Sequence, residues 1–151
     1  MRLTLIALLL AGVVGCDSEP ADKPYLGLEA TLKAAEQGDA RTQYRLGREY
    51  EVGGRGVPKD AAEAVKWYFK AAEQGYARAQ YGLGFMYANG NGVPHNYVEA
   101  YAWMSVAATN GNEDAKEFLP KAKAELTREQ LIAAQIRAIE LTEQINANKA
   151  K

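Results

Sequence analysis

Cysteine and histidine occur once each in this 151-residue chain, as Cys16 and His95, and serine only twice, as Ser18 and Ser105. A lone histidine and a lone cysteine exclude the usual zinc sites, which need three or four such ligands. A Ser-His-Asp site would have to join Ser105 to His95. Measured from a helix cap at Asn96, Ser105 lies about 14 Å along the axis at about 1.5 Å per residue, beyond hydrogen-bond reach. One cysteine closes no intramolecular disulfide, so stability must come from packing. The apolar stretch from Leu3 to Ala11 is far short of the roughly 20 residues that cross a bilayer. Charge of one sign is also missing: the net value of −1 carries no basic excess of the kind nucleic acid requires. Carboxylates are plentiful, which leaves carboxylate-only chemistry open, but no Asp-x-Asp loop or other cluster points to it.

What the chain has is a passage written twice. Ala34-Ala35-Glu36-Gln37-Gly38 recurs as Ala71-Ala72-Glu73-Gln74-Gly75, at an offset of 71 − 34 = 37. Gln43-Tyr44-x-Leu46-Gly47-x-x-Tyr50 recurs at the same offset as Gln80-Tyr81-x-Leu83-Gly84-x-x-Tyr87. Gly56-Val57-Pro58 returns as Gly92-Val93-Pro94 at 92 − 56 = 36, so the first loop is one residue longer. A period of this size marks stacked units, none of which buries its apolar face alone.

Each unit reads as two helices. The first runs from about Ala40 to Val52 and again from about Ala77 to Ala88. Gly47 and Gly84 sit inside these helices, where glycine costs about 1 kcal/mol relative to alanine. Their shared register predicts close approach of a neighbouring helix. The glycine-rich loops that follow end in proline ahead of the next helix. They lack a Gly-Lys-Ser/Thr ending and a preceding strand, so they do not read as phosphate cradles. Asp60-x-x-Glu63 and Asn96-x-x-Glu99 predict capping boxes for the second helices. Ala61, Ala64, Trp67/Tyr68 and Ala71, matched by Ala100, Trp103/Met104 and Ala107, give those helices an apolar stripe. The tryptophans occupy repeated positions and read as core. Gly75 and Gly111 stop the second helices, and Gly38 stops an earlier one.

These residues resemble the Sel-one-like repeat family, relatives of tetratricopeptide repeats, over about Leu28 to Ala115. The resemblance implies an all-α fold: a right-handed α-solenoid of αα-hairpins that binds other proteins on its concave side. One departure is Glu49, where the copy has Met86 and the family carries an apolar residue; looser packing of the first unit is expected.

The ends differ from the repeats. Leu28 to Gln37 reads as a short amphipathic helix closing the first end. A further first helix begins at Glu113, but Pro120 falls in the register of Gly84 and is expected to kink or end it near Leu119. Thr127-x-x-Gln130 predicts a capping box for a long helix reaching about Asn146, with Leu131, Ile132, Ile136, Ile139, Leu141 and Ile145 on a wide apolar side. It is expected to cover the open end of the array, a partner-binding helix being the rival reading. Arg137 is its only basic residue between Glu129 and Asn146, which argues against membrane affinity.

Met1-Arg2 and the apolar run that follows have the shape of an export signal, and Val13-Val14-Gly15-Cys16 looks like a bacterial lipobox. That resemblance implies cleavage before Cys16 and acylation of Cys16, with several acyl chains giving a stable anchor. Asp17 resembles an inner-membrane retention signal of enterobacteria, which leaves inner versus outer membrane open. The expected organisation is a signal peptide over 1–15, a lipidated tether over 16–24 and a repeat domain over 25–151. Within that domain a truncated repeat (about 25–38) precedes repeats at about 39–75 and 76–111 and a cap at 112–151.

The family places exposed first-helix residues on the concave face. Arg41, Arg45 and Arg48 fall at i, i+4 and i+7, and the next unit aligns Arg78, Gly82 and Phe85. The five named side chains, Arg41, Arg45, Arg48, Arg78 and Phe85, are candidate contacts for an acidic protein partner. A solvated face whose arginine stems cover apolar neighbours is the plainer reading. The expected function is non-catalytic protein binding at the bacterial envelope, facing the periplasm, without cofactor, metal or nucleic acid. The family offers two alternatives. One is an immunity protein that neutralises a phospholipase effector delivered by type VI secretion. The other is a hydrolase or β-lactam-binding role, disfavoured because no Ser-x-x-Lys motif is present.

Overall fold

The structure, a computed structural model, describes residues 27–151. The expected signal peptide, the tether and Cys16 lie outside the described residues. Seven helices make up the described part: α1 (Leu28–Glu36), α2 (Ala40–Val52), α3 (Ala61–Glu73), α4 (Ala77–Asn89), α5 (Tyr97–Thr109), α6 (Glu113–Ala124) and α7 (Arg128–Lys149). Helices α2 and α3 form one hairpin and α4 and α5 the next; α3 packs on α4, α1 on α2 and α6 on α5. The result is an all-α repeat solenoid with a long C-terminal helix.

Glycine makes the hairpins tight. A methyl group on Gly47 would lie 2.6 Å from Cδ1 of Tyr68, and one on Gly84 2.6 Å from Cγ of Met104 and 3.1 Å from the Ala100 carbonyl. The helix partners therefore meet at the glycine, as its register predicted. Each hairpin buries its tryptophan: Trp103 is 1% exposed and Trp67 6%. Leu46, Leu83, Tyr68 and Met86 complete the interior.

Turns between units close in the same way. Gly75 has φ +85, and the amides of Gly75 and Tyr76 donate to the carbonyls of Ala72 and Ala71, a Schellman pattern. The predicted capping boxes of α3 and α5 form only in half. Asp60 accepts from the Glu63 amide and Asn96 from the amides of Val98 and Glu99. The reciprocal donor is already engaged, because the Asp60 and Asn96 amides donate to the carbonyls of Tyr50 (2.8 Å) and Tyr87 (3.0 Å). Glu63 turns to Lys66 and Glu99 to Arg137 instead. Among the described helices only α7 has the complete box, between Thr127 and Gln130.

A buried polar ladder runs through the array, and its rungs repeat. The Gln43 side-chain amide donates to the Ala35 carbonyl (2.9 Å) and its oxygen accepts from Gln74 (2.8 Å). Gln80 does the same one repeat later, donating to Ala72 (3.1 Å) and accepting from Asn110 (2.9 Å). Each glutamine thus ties the end of the helix before it to the end of the helix after it.

Two expectations are corrected. Glu49 does not loosen the first unit: its carboxylate lies 3.4 Å from Arg55, and its side chain is only 18% exposed. Arg55, at φ 52, belongs to the loop that is one residue longer, so the extra residue accompanies a counterion. Pro120 does not end its helix, since α6 continues to Ala124. Proline removes one amide bond, and the carbonyl left over, that of Lys116, belongs to an exposed residue that water can reach. The proline acts elsewhere. It fills the position through which a second helix approaches its first, and α7 does not pair with α6. The long C-terminal helix α7 lies along α5 and reaches α3. Ala134, Leu141 and Ile145 face inward, while Ile132, Ile136 and Ile139 are 50–61% exposed.

Candidate functional site

The first helices line a groove of about 650 Å³. Tyr44 and Arg48 enter it from α2, Tyr76, Ala77, Arg78 and Tyr81 from the start of α4, and Asn112, Glu113 and Asp114 from the start of α6. The tyrosines form its aromatic part: the Tyr44 ring lies 5.3 Å from Tyr76 and 5.7 Å from Tyr68. Tyr68 is buried beneath and donates its hydroxyl to Glu51 (2.5 Å). Burial first, then the bond to the Glu51 carboxylate, hold that phenol far above its usual range, so it stays neutral. Tyr81 is raised too, by burial and then by Asp114 and Glu117. A smaller pocket of about 260 Å³ adjoins along α2, between Tyr44, Arg45, Arg48, Glu49, Val52 and Arg55.

Three of the five candidate contacts are thus brought to cavities: Arg48 lines both, Arg45 the smaller and Arg78 the larger. Arg41 and Phe85 line neither, although both are exposed on the same helices. Arg45 and Arg78 are half-buried, so the arginines are not one uniformly exposed stripe.

Sequence reasoning missed Tyr44, Tyr76, Tyr81, Glu113 and Asp114 as groove residues. Tyr76 carried a readable signal. Asp39, Tyr76 and Asn112 occupy equivalent N-cap positions, and Asp39 and Asn112 each accept an amide bond there. Tyr76 makes no side-chain cap bond, and its ring sits in the groove. An uncapped helix forgoes about 1 kcal/mol, and the Tyr76 ring instead packs against the core and beside Tyr44.

The sparse nucleophilic residues lie apart from the groove. His95 is exposed with its ring edge-on to Tyr97 (4.4 Å), and the Ser105 carbonyl accepts from Thr109. Among the described residues no group of three or more His, Cys, Asp or Glu is placed to hold a metal ion, and no helix is long and apolar enough to cross a membrane.

The Sel1 repeat family model matches residues 40–76 and 77–112. Two solved structures are similar to this chain. A Sel1 repeat protein from Oxalobacter formigenes is 42% identical, with a TM-score of 0.60 over 62% of this chain and 70% of its own. A protective antigen of uropathogenic Escherichia coli with the same repeat fold is 37% identical, with a TM-score of 0.75 over 80% of this chain. The present chain spans only 26% of that antigen. No curated protein matches it.

Proposed function

The chain belongs to the Sel1 repeat family, and from that membership we propose that it holds a protein partner in the groove between its first helices, without catalysis, at the bacterial envelope. Sel1 repeat proteins are generally protein–protein interaction modules and typically non-catalytic. The observation that carries the reading is the groove itself. It is built from equivalent faces of successive first helices and offers tyrosine rings and charged side chains at about 650 Å³. Binding clefts combine apolar area with a few placed polar groups in this way.

The lipobox-like Val13-Val14-Gly15-Cys16 supports an anchor: Cys16 carries the lipid, and the repeats face the periplasm. Cys16→Ser should leave the precursor unacylated and unprocessed. Recovery of wild-type protein soluble in the periplasm with an unmodified amino terminus overturns the anchor. The arginines Arg45, Arg48 and Arg78 are the cationic contacts of the partner, with Arg41 and Phe85 at the margin.

The test of docking is capture from detergent-solubilised envelope by the full chain. A protein retained by wild type and by Lys66→Glu, on an exposed face of α3, but lost with Arg48→Glu, is the expected result. Retention by all three refutes docking in the groove. A narrower form of the same reading is an immunity protein that neutralises a phospholipase effector, since an envelope anchor would place it where such an effector acts. Survival of cells that co-express a periplasm-directed effector encoded beside this chain would establish it, and lysis would refute it.

A further inference from the structure

The groove changes sign along its length. Arg48 on α2 and Arg78 in the first turn of α4 supply positive charge at one end, and Glu113 and Asp114 in the first turn of α6 supply negative charge at the other. Tyr44 on α2 and Tyr76 at the start of α4 line the same groove, with their rings 5.3 Å apart. We infer that the groove takes a polypeptide segment carrying charges of both signs. An acidic side chain lies at the Arg48–Arg78 end, an apolar or aromatic side chain lies against Tyr44 and Tyr76, and a basic side chain lies at the Glu113–Asp114 end. The inference rests on the docking reading above and narrows its partner.

Charge complementarity decides the occupant. A partner of one sign meets repulsion at one end: a polyanion at Glu113 and Asp114, a polycation at Arg48 and Arg78. Placing like charges together is how interfaces reject wrong partners. The expectation of a purely acidic partner, drawn from the arginines alone, omitted the third helix of the array. The volume also fits, since clefts of about 300–1,000 Å³ enclose ligands the size of a short peptide segment. The tyrosines suit an apolar contact, because such rings give large contact area with few rotatable bonds. The acidic end is fixed by the fold as well. Asn112 caps α6 by accepting from the Ala115 amide (2.8 Å), which leaves Glu113 and Asp114 on the helix as side chains facing outward, both exposed.

The experiment selects binders from a random phage-displayed peptide library on the full chain held in detergent. The enriched sequences are then made as fluorescent peptides and titrated by anisotropy. The expected result is that enriched peptides combine Asp or Glu, Lys or Arg, and an apolar or aromatic residue. Arg48→Glu and Asp114→Lys should each weaken binding by about tenfold, as loss of a close charge pair does. Asp114→Asn and Glu113→Gln, which each remove one negative charge without reversing it, should weaken it by a smaller factor. The double reversal Arg48→Glu/Asp114→Lys should prefer the charge-swapped peptide. Peptides that are only acidic, sensitive to Arg48→Glu but indifferent to Asp114→Lys, overturn this inference and leave docking in the groove standing. Peptides indifferent to every groove variant, or no enrichment at all, overturn both.

Discussion

Replacing Gln80 by leucine removes the inner rung of the polar ladder while keeping similar bulk. Gln80 is fully buried, donates to Ala72 at 3.1 Å and accepts from Asn110 at 2.9 Å. A hydrogen bond contributes about 0.5–1.5 kcal/mol net, so two give about 1–3 kcal/mol. The Ala72 carbonyl keeps a second partner, the Gly75 amide at 2.9 Å, which lowers the penalty at that end. The Asn110 amide can turn to water, because Asn110 is exposed. The loss should therefore fall near 2 kcal/mol, the middle of that range. Urea unfolding of the full chain in detergent, read by tryptophan fluorescence, gives the midpoint and slope; an unchanged slope confines the effect to stability. A cycle of Gln80→Leu, Asn110→Ala and the double variant should return a coupling of at least about 0.5 kcal/mol, as for residues in one network. Equal stability of wild type and Gln80→Leu, or zero coupling, would refute the claim that the ladder holds the units together.

Three further outcomes follow from the packing. Trp103→Ala should cost about 3–5 kcal/mol in the same assay, since the ring is 1% exposed and its indole N–H has no acceptor to lose; a loss below about 1 kcal/mol would mean that the ring is not core. Gly84→Ala gains helix propensity of about 1 kcal/mol but forces a methyl against Met104 and the Ala100 carbonyl, and overpacking of about 1–3 kcal/mol should win; a stabilised variant would show that the hairpin is not closed by the glycine. Burial and the Glu51 carboxylate hold the Tyr68 phenol well above the usual tyrosine range, so the folded state holds its proton more tightly than the unfolded one. The stability this gives is complete below about pH 10 and falls as pH rises above it, and Tyr68→Phe should make that fall shallower, though not flat, because Tyr81 and Tyr87 are raised as well. Parallel profiles for wild type and Tyr68→Phe would exclude Tyr68 as a source.

The repeats were legible because they are nearly verbatim. Gly47 and Gly84 announced their close contacts through a shared register, and Gly38, Gly75 and Gly111 announced the turns. The ladder was not legible, although Gln43 and Gln80 recur as visibly as the glycines. Their partners are main-chain carbonyls eight residues back and side chains 31 and 30 residues ahead, and no local pattern encodes such pairs. The capping boxes misled for a related reason: the motif gives the acceptor, but whether the reciprocal amide is available depends on Tyr50 and Tyr87 in the preceding helix. In α7 the apolar residues cover too much of the circumference to choose a face, so the buried Leu141 and Ile145 could not be told from the exposed Ile136 and Ile139. At the groove, a search for charge found the arginines and passed over the tyrosines, whose helical spacing matches that of a core.

A stack of hairpins bends and twists by small rotations between units, much as a spring does, and the width of any cleft along it changes with those rotations. Helix α7 alters this mechanics. It lies along α5, is held at Glu99 through Arg137 (3.0 Å), and sets Ile145 in its last turns against Gly75 at the close of α3, so one rod spans the second helices of both hairpins. Rotation of one hairpin against the other must then drag or detach the rod. The opening on the opposite side should thereby keep a fixed gauge, and loosening the rod at Glu99 and Arg137 should let the two hairpins rotate and that opening change width.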